Sequence, residues 1–122
     1  MFEIEFYEDE HGYSDVKLFI KDLREKASRS KEARINFNKT VAYIDSLEEL
    51  GTRVGAPVSK HLEGEIWELR PLSNRILYAY YKENCFLLLH QFKKKTQKTP
   101  RREIEKAKRE LEDYRRRFGE YE

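Results

Sequence analysis

Two arginines frame a turn. Arg70 closes the run Trp67-Glu68-Leu69-Arg70, and Arg75 opens Arg75-Ile76-Leu77-Tyr78 after Pro71-Leu72-Ser73-Asn74. If the runs are antiparallel strands, the turn makes the two guanidiniums neighbours. A planar fork donating two parallel hydrogen bonds suits a phosphate, and a lysine adds a compact point charge. Lys93, Lys94, Lys95 and Lys98 fall within six positions, just after the apolar run Cys85-Phe86-Leu87-Leu88-Leu89. Preorganised cations stabilise charge that builds on phosphoryl oxygens in a transition state. Arg75, Lys94 and Lys95 are the candidates for that role. Arg70, His90, Lys93 and Lys98 are candidates for holding a nucleic-acid backbone. One of the lysines could also serve as acid or base.

Each of these residues also has a plainer reading. Glu68 could pair with Arg70 on a solvent face, Arg75 could make a structural salt bridge, and the lysines could be a solvated connection. Trp67 and Leu69 alternate with Glu68 and Arg70, so Trp67 reads as core. Tyr78 and Tyr80 share a face with Ile76 and read as core aromatics. Tyr81 falls on the Arg75 face and is the tyrosine placed to stack on a base. His11, His61 and His90 are scattered and Cys85 lies inside an apolar run, so no metal-ligand spacing is present. No glycine-rich phosphate loop or nucleophile elbow occurs either. No cofactor is expected.

The elements that must position these groups follow from periodicity. Phe2, Ile4 and Phe6 alternate with Glu3, Glu5 and Tyr7, a half-buried strand. Ser14 and Ser30 are caps for two helices with apolar stripes Val16-Phe19-Ile20-Leu23-Ala27 and Ala33-Phe37-Val41-Ile44-Leu47. Gly51 ends the second helix. Residues 51–65 hold three of the five glycines and Pro57 and read as a connection. Three strands follow as a meander, with a tight turn at Glu83-Asn84. Thr99 is the expected cap of a last helix, with Pro100 at its first position and a stripe Ile104-Ala107-Leu111-Tyr114-Phe118. The fold class is α+β: a small antiparallel sheet, an N-terminal helical hairpin and a C-terminal helix, the helices on one face.

The chain of 122 residues is the size of one domain, spanning 1–122. Its net charge of +2 conceals segregation: residues 1–16 carry six acids and no Lys or Arg, while 93–117 carry twelve Lys or Arg against five acids. A basic end suggests a polyanionic partner. The single cysteine, the lack of a signal-like N-terminus and the lack of a long apolar run point to a cytoplasmic protein with no membrane association.

The stretches 60–70 (KHLEGEIWELR), 75–78 (RILY) and 89–100 (LHQFKKKTQKTP) resemble the phage-derived HigB-type toxins of the RelE/ParE superfamily. The likeness extends over roughly residues 14–115. WELR, RxxY and FxKKTxKTP are specific jointly and weak singly. The resemblance implies a RelE-like sheet with N-terminal helices and a C-terminal helix. It also implies a type II toxin that cuts mRNA in the ribosomal A site without a metal, and an antitoxin partner, usually a helix-turn-helix protein. Carried over, the strand-start arginine is Arg75 and the basic residue after the last strand is Lys94. Two departures stand out: the lysines typical of RelE-like enzymes are replaced here by Ile66 and Glu68, which makes Glu68 a candidate general base or a salt-bridge partner of Arg70, and their C-terminal tyrosine has no clear match. The alternatives are a non-catalytic inhibitor of DNA gyrase, as in the ParE branch, and an inert phage-derived nucleic-acid-binding domain.

Overall fold

Ser14 and Ser30 do begin helices in the computed structural model, which describes residues 1–119. Ser14 Oγ accepts from the Lys17 amide (3.3 Å) at the head of α1, Asp15–Lys26. Ser30 Oγ accepts from the Ala33 amide (3.1 Å) at the head of α2, Lys31–Leu50. Each satisfies an amide that a first helical turn leaves unpaired. Gly51 ends α2 with φ +62°, and a Cβ there would lie 2.7 Å from the Phe2 ring. A glycine is what lets the N-terminal strand lie against the end of α2.

The sheet has five strands: β1 (Glu3–Phe6), β2 (Ser59–Glu63), β3 (Ile66–Leu69), β4 (Asn74–Lys82) and β5 (Cys85–Lys93). Their spatial order is β1-β5-β4-β3-β2. All neighbours are antiparallel except β1, which runs parallel to β5 with Glu3 beside Cys85. The architecture is α+β as expected, with β1 making the sheet mixed. The β4–β5 turn lies at Glu83-Asn84, with Asn84 in the left-handed region at φ +61°.

Two expectations need correction. Residues 51–65 contain β2 as well as a connection, so the meander has four strands. Ser59-Lys60-His61-Leu62-Glu63 has a single aliphatic side chain and no readable alternation, because β2 is an edge strand. The helices also occupy both faces. α3, Arg101–Phe118, packs opposite α1 and α2. The cause lies in β4 and β5, whose side chains are buried on both sides from Asn74 to Ala79 and from Cys85 to His90. A strand apolar on two faces needs cover on two faces. Val16, Leu47, Leu69, Ile76, Tyr78, Phe86 and Leu88 form the core under α1 and α2. Ile66, Leu77, Ala79, Leu87 and Leu89 form the other core with Ala107 and Leu111 of α3.

A bulge interrupts the β4–β5 ladder. Leu77 lies opposite His90 while Tyr78 lies opposite Leu88, which leaves Leu89 as the extra residue. Bulges re-aim side chains, and this one sends His90 to the α3 side. Among the described residues no helix is long and apolar enough to cross a membrane.

Candidate functional site

Strands β2, β3 and β4, the segment after β5 and the start of α3 enclose a groove of about 920 Å³. Its lining includes Lys60, Glu68, Arg70, Arg75, Lys93, Lys94, Lys95, Lys98 and Glu103. Seven of the residues singled out from sequence are thus brought together: Arg75, Lys94, Lys95, Glu68, Arg70, Lys93 and Lys98.

Glu68 is the hub. It is only 2% exposed. Arg70 Nε lies 3.5 Å from its Oε2 and Arg75 Nε 4.0 Å from the same oxygen. Thr99 Oγ1 donates to its Oε1 at 2.5 Å. Thr99 is therefore not the cap of α3. Pro100 holds the cap position without a side-chain hydrogen bond, and the threonine hydroxyl serves the buried carboxylate, which needs a donor more than an exposed amide does. Arg75 is also buried, and its Nη1 donates to the carbonyls of Leu72 (2.8 Å) and Asn74 (2.9 Å). Leu72 has φ +45°, a left-handed conformation uncommon outside glycine, asparagine and aspartate. The turn that presents the carbonyl is thus locally strained. Burial pulls the Arg75 pKa below the usual arginine value, with Glu68 opposing that and Arg70 adding to it.

The basic end divides into two parts. On α3, Arg101 and Lys108 both bind Glu63, Arg101 also binds Glu105, Arg115 binds Glu65, and Arg116 and Arg117 bind Asp113. Among the described residues, no ion pair involves Lys60, Lys93, Lys94, Lys95 or Lys98. The Lys94 amide donates to the Ser73 carbonyl at 2.7 Å, which pins the lysine segment to the β3–β4 turn beside Arg75. The backbone of the lysine segment is thus held at the groove, while the lysine charges have no ion pair among the described residues.

Two other sequence candidates lie elsewhere. Tyr81 is on the Arg75 face but at the far end of β4, about 20 Å away by strand rise. It is 4% exposed, its hydroxyl donates to the Gly119 carbonyl at 2.7 Å, and its ring meets Tyr114 edge-on at 5.0 Å. α3 covers it, so it is a core residue. His90 is fully buried between α3 carboxylates, with Nε2 2.9 Å from Glu103 Oε1 and Nδ1 2.6 Å from Glu110 Oε1. It does not line the groove, although Glu103 does.

Glu103 and Glu110 were not singled out from the sequence, yet a signal for them exists. Glu103, Ala107, Glu110 and Tyr114 recur at spacings of four, three and four, so two acids sit on the inward side of a helix. Acids there require a buried partner, and a histidine in an otherwise apolar strand is one.

Residues 19–112, most of the chain, match the family model described as Phage derived protein Gp49-like (DUF891). No curated protein matches the chain significantly.

Proposed function

The chain belongs to the phage-derived Gp49-like family, and from that premise we propose that it is the toxin of a type II toxin–antitoxin pair. In this reading it cuts mRNA in the ribosomal A site. The observation that carries the reading is the groove itself: two arginines fixed on a buried Glu68, with four unpaired lysines along the rim. That is the equipment for gripping a phosphodiester and stabilising charge on it.

The substrate supplies the nucleophile. A 2′-oxygen attacks the adjacent phosphorus, the 5′-oxygen leaves, and a 2′,3′-cyclic phosphate remains. Arg75 and the lysines Lys94 and Lys95 stabilise the phosphoryl oxygens. Arg70, at the groove wall, and Lys93 and Lys98, on the rim, hold the flanking backbone. Glu68 orients the two guanidiniums: Oε1 takes the Thr99 hydroxyl and Oε2 faces both arginines, which suits an anchor better than a base. The N-terminus of α3 adds its partial positive charge at the same place. The ribosome would hold the substrate in register, which a site built mainly of cations needs. A helix-turn-helix antitoxin would be the partner that silences it.

The test is purified protein mixed with ribosomes stalled on a defined mRNA, followed by mapping of new RNA 5′ ends. Cleavage in the A-site codon is expected, with Arg75→Ala lowering the rate by roughly 10²–10³. Intact mRNA on competent ribosomes would refute the reading. Inhibition of supercoiling by gyrase in the same preparation would then favour the ParE-like alternative.

A further inference from the structure

We propose that Glu103 is the general base of the groove, held in place by His90 with Glu110 behind it. The inference rests on the RNA-cleaving reading and supplies the proton acceptor that the cationic groove lacks.

The two carboxylates in the site differ in what their oxygens are doing. Glu68 has both turned toward the protein: Oε1 takes the Thr99 hydroxyl, and Oε2 faces Arg70 Nε at 3.5 Å and Arg75 Nε at 4.0 Å, in ion pairs without a hydrogen bond. Glu103 also lines the groove. Its Oε1 is 2.9 Å from His90 Nε2, while its Oε2 has no hydrogen bond or ion pair among the described residues. One oxygen is used for aiming and one is left for whatever enters.

The aiming is firm because it runs through the interior. His90 is 0% exposed, and its other nitrogen, Nδ1, is 2.6 Å from Glu110 Oε1. Two ring nitrogens facing two carboxylate oxygens can both hydrogen-bond only if two protons lie on the ring or one has crossed to a carboxyl. With the protons on the ring, the imidazolium lies between two carboxylates and Glu103 is an anion. With one proton crossed, a carboxyl has taken it up and the ring is neutral. Both arrangements carry the same net charge. Glu103 can therefore exchange a proton with the ring without changing the charge of the buried cluster. The Leu89 bulge places the ring on the α3 side, and Glu103 and Glu110, two helical turns apart, approach it from the same helix.

In the reaction, the 2′-OH proton moves to Glu103 Oε2 as the 2′-oxygen–phosphorus bond forms. The phosphorus–5′-oxygen bond breaks, and the leaving oxygen takes a proton from a lysine of the 93–98 segment. The Glu103 carboxyl then loses one proton to water and the lysine regains one. His90 and Glu110 never touch the substrate and act as positioning residues.

The experiment compares wild type, Arg75→Ala, Glu103→Gln, Glu103→Asp and Glu110→Gln on ribosomes stalled on defined mRNA. Single-turnover cleavage, melting temperature and affinity for a 2′-O-methyl RNA are measured for each. Gln keeps the Oε1 acceptor for His90. Glu103→Gln is expected to cut roughly 10²–10⁴ times more slowly, with affinity near wild type and melting lowered but still cooperative, because His90 keeps an acceptor at Oε1 and the Glu110 carboxylate at its other nitrogen. Glu103→Asp should recover part of the rate, and Glu110→Gln should slow cleavage less than Glu103→Gln at unchanged affinity. Wild-type cleavage by Glu103→Gln, with Arg75→Ala inactive, would overturn this inference and leave the RNA-cleaving reading standing. Loss of cooperative melting in Glu103→Gln, or an inactive Asp variant that binds RNA normally, would also overturn it. No cleavage by wild type would overturn both.

Discussion

Glu68 has two arginines, but among the described residues Arg75 has one carboxylate, and that asymmetry makes the pair testable. Replacing Glu68 with Gln keeps the shape and an acceptor for Thr99, but strands a guanidinium that is 7% exposed. At 4.0 Å and an effective dielectric constant of about 20, the lost attraction is about 4 kcal/mol. Breaking one side of a buried pair typically costs about 3–5 kcal/mol. Arg75 keeps its two carbonyl acceptors, so we take about 3 kcal/mol. For a domain of this size that lowers the melting temperature by roughly 12 °C. Arg75→Ala should cost less, roughly 1–2 kcal/mol, because Glu68 retains Arg70 and Thr99. Removing both charges with Glu68→Gln and Arg75→Ala together should cost less than the two single changes added, by about 1.5 kcal/mol. Urea titration and thermal melting of the four proteins close the cycle. A Glu68→Gln protein melting within about 3 °C of wild type would refute the reasoning, as would additive effects. Either result would mean that water or Arg70 already serves Arg75.

Replacing Lys93, Lys94, Lys95 and Lys98 together with Gln should leave melting unchanged and lower the salt slope for single-stranded RNA by about 3, at about 0.7 per phosphate contact; titration over a salt series measures it. Tyr81→Phe should cost about 1 kcal/mol by loss of the Gly119 bond while leaving RNA affinity at the wild-type value, since Tyr81 lies away from the groove. Arg101 and Lys108 pull the Glu63 carboxyl down from 4.5 to about 2. The folded protein thus binds that proton less readily than the unfolded chain, so this contribution to stability is full above about 4.5 and is lost as pH falls toward about 2. Carboxyl NMR titration should show the low midpoint, and Glu63→Gln should flatten part of the acid limb of melting against pH.

Strand parity made much of the site readable. Alternation alone placed Trp67 and Leu69 on one side and Glu68 and Arg70 on the other, and the four-residue turn placed Arg75 beside Arg70. What alternation does not carry is distance along a strand or the identity of the layer above it. Tyr81 was put on the correct face, yet six residues of rise and the end of α3 remove it from the groove. His90 depends on the Leu89 bulge, a register slip that leaves no mark in an apolar run. β2 escaped notice because a polar edge strand has no pattern to show. Thr99 looked like a helix cap because local chemistry favours one there, whereas its hydroxyl answers to a carboxylate thirty-one residues earlier in the chain.

The parallel pairing of β1 with β5 has a consequence for how the chain assembles. Everything that lines the groove lies between Lys60 and Ile104, in neighbouring hairpins and the helix that follows them. Joining Glu3 to Cys85 instead closes a loop of most of the chain, and such distant pairings are slow to form. Until β1 arrives, the apolar β5 is an open edge, with free backbone groups that another copy's strand could occupy. The N-terminal strand is thus the sheet's own guard, and a copy folding in a crowd is exposed to strand exchange for as long as β1 is late.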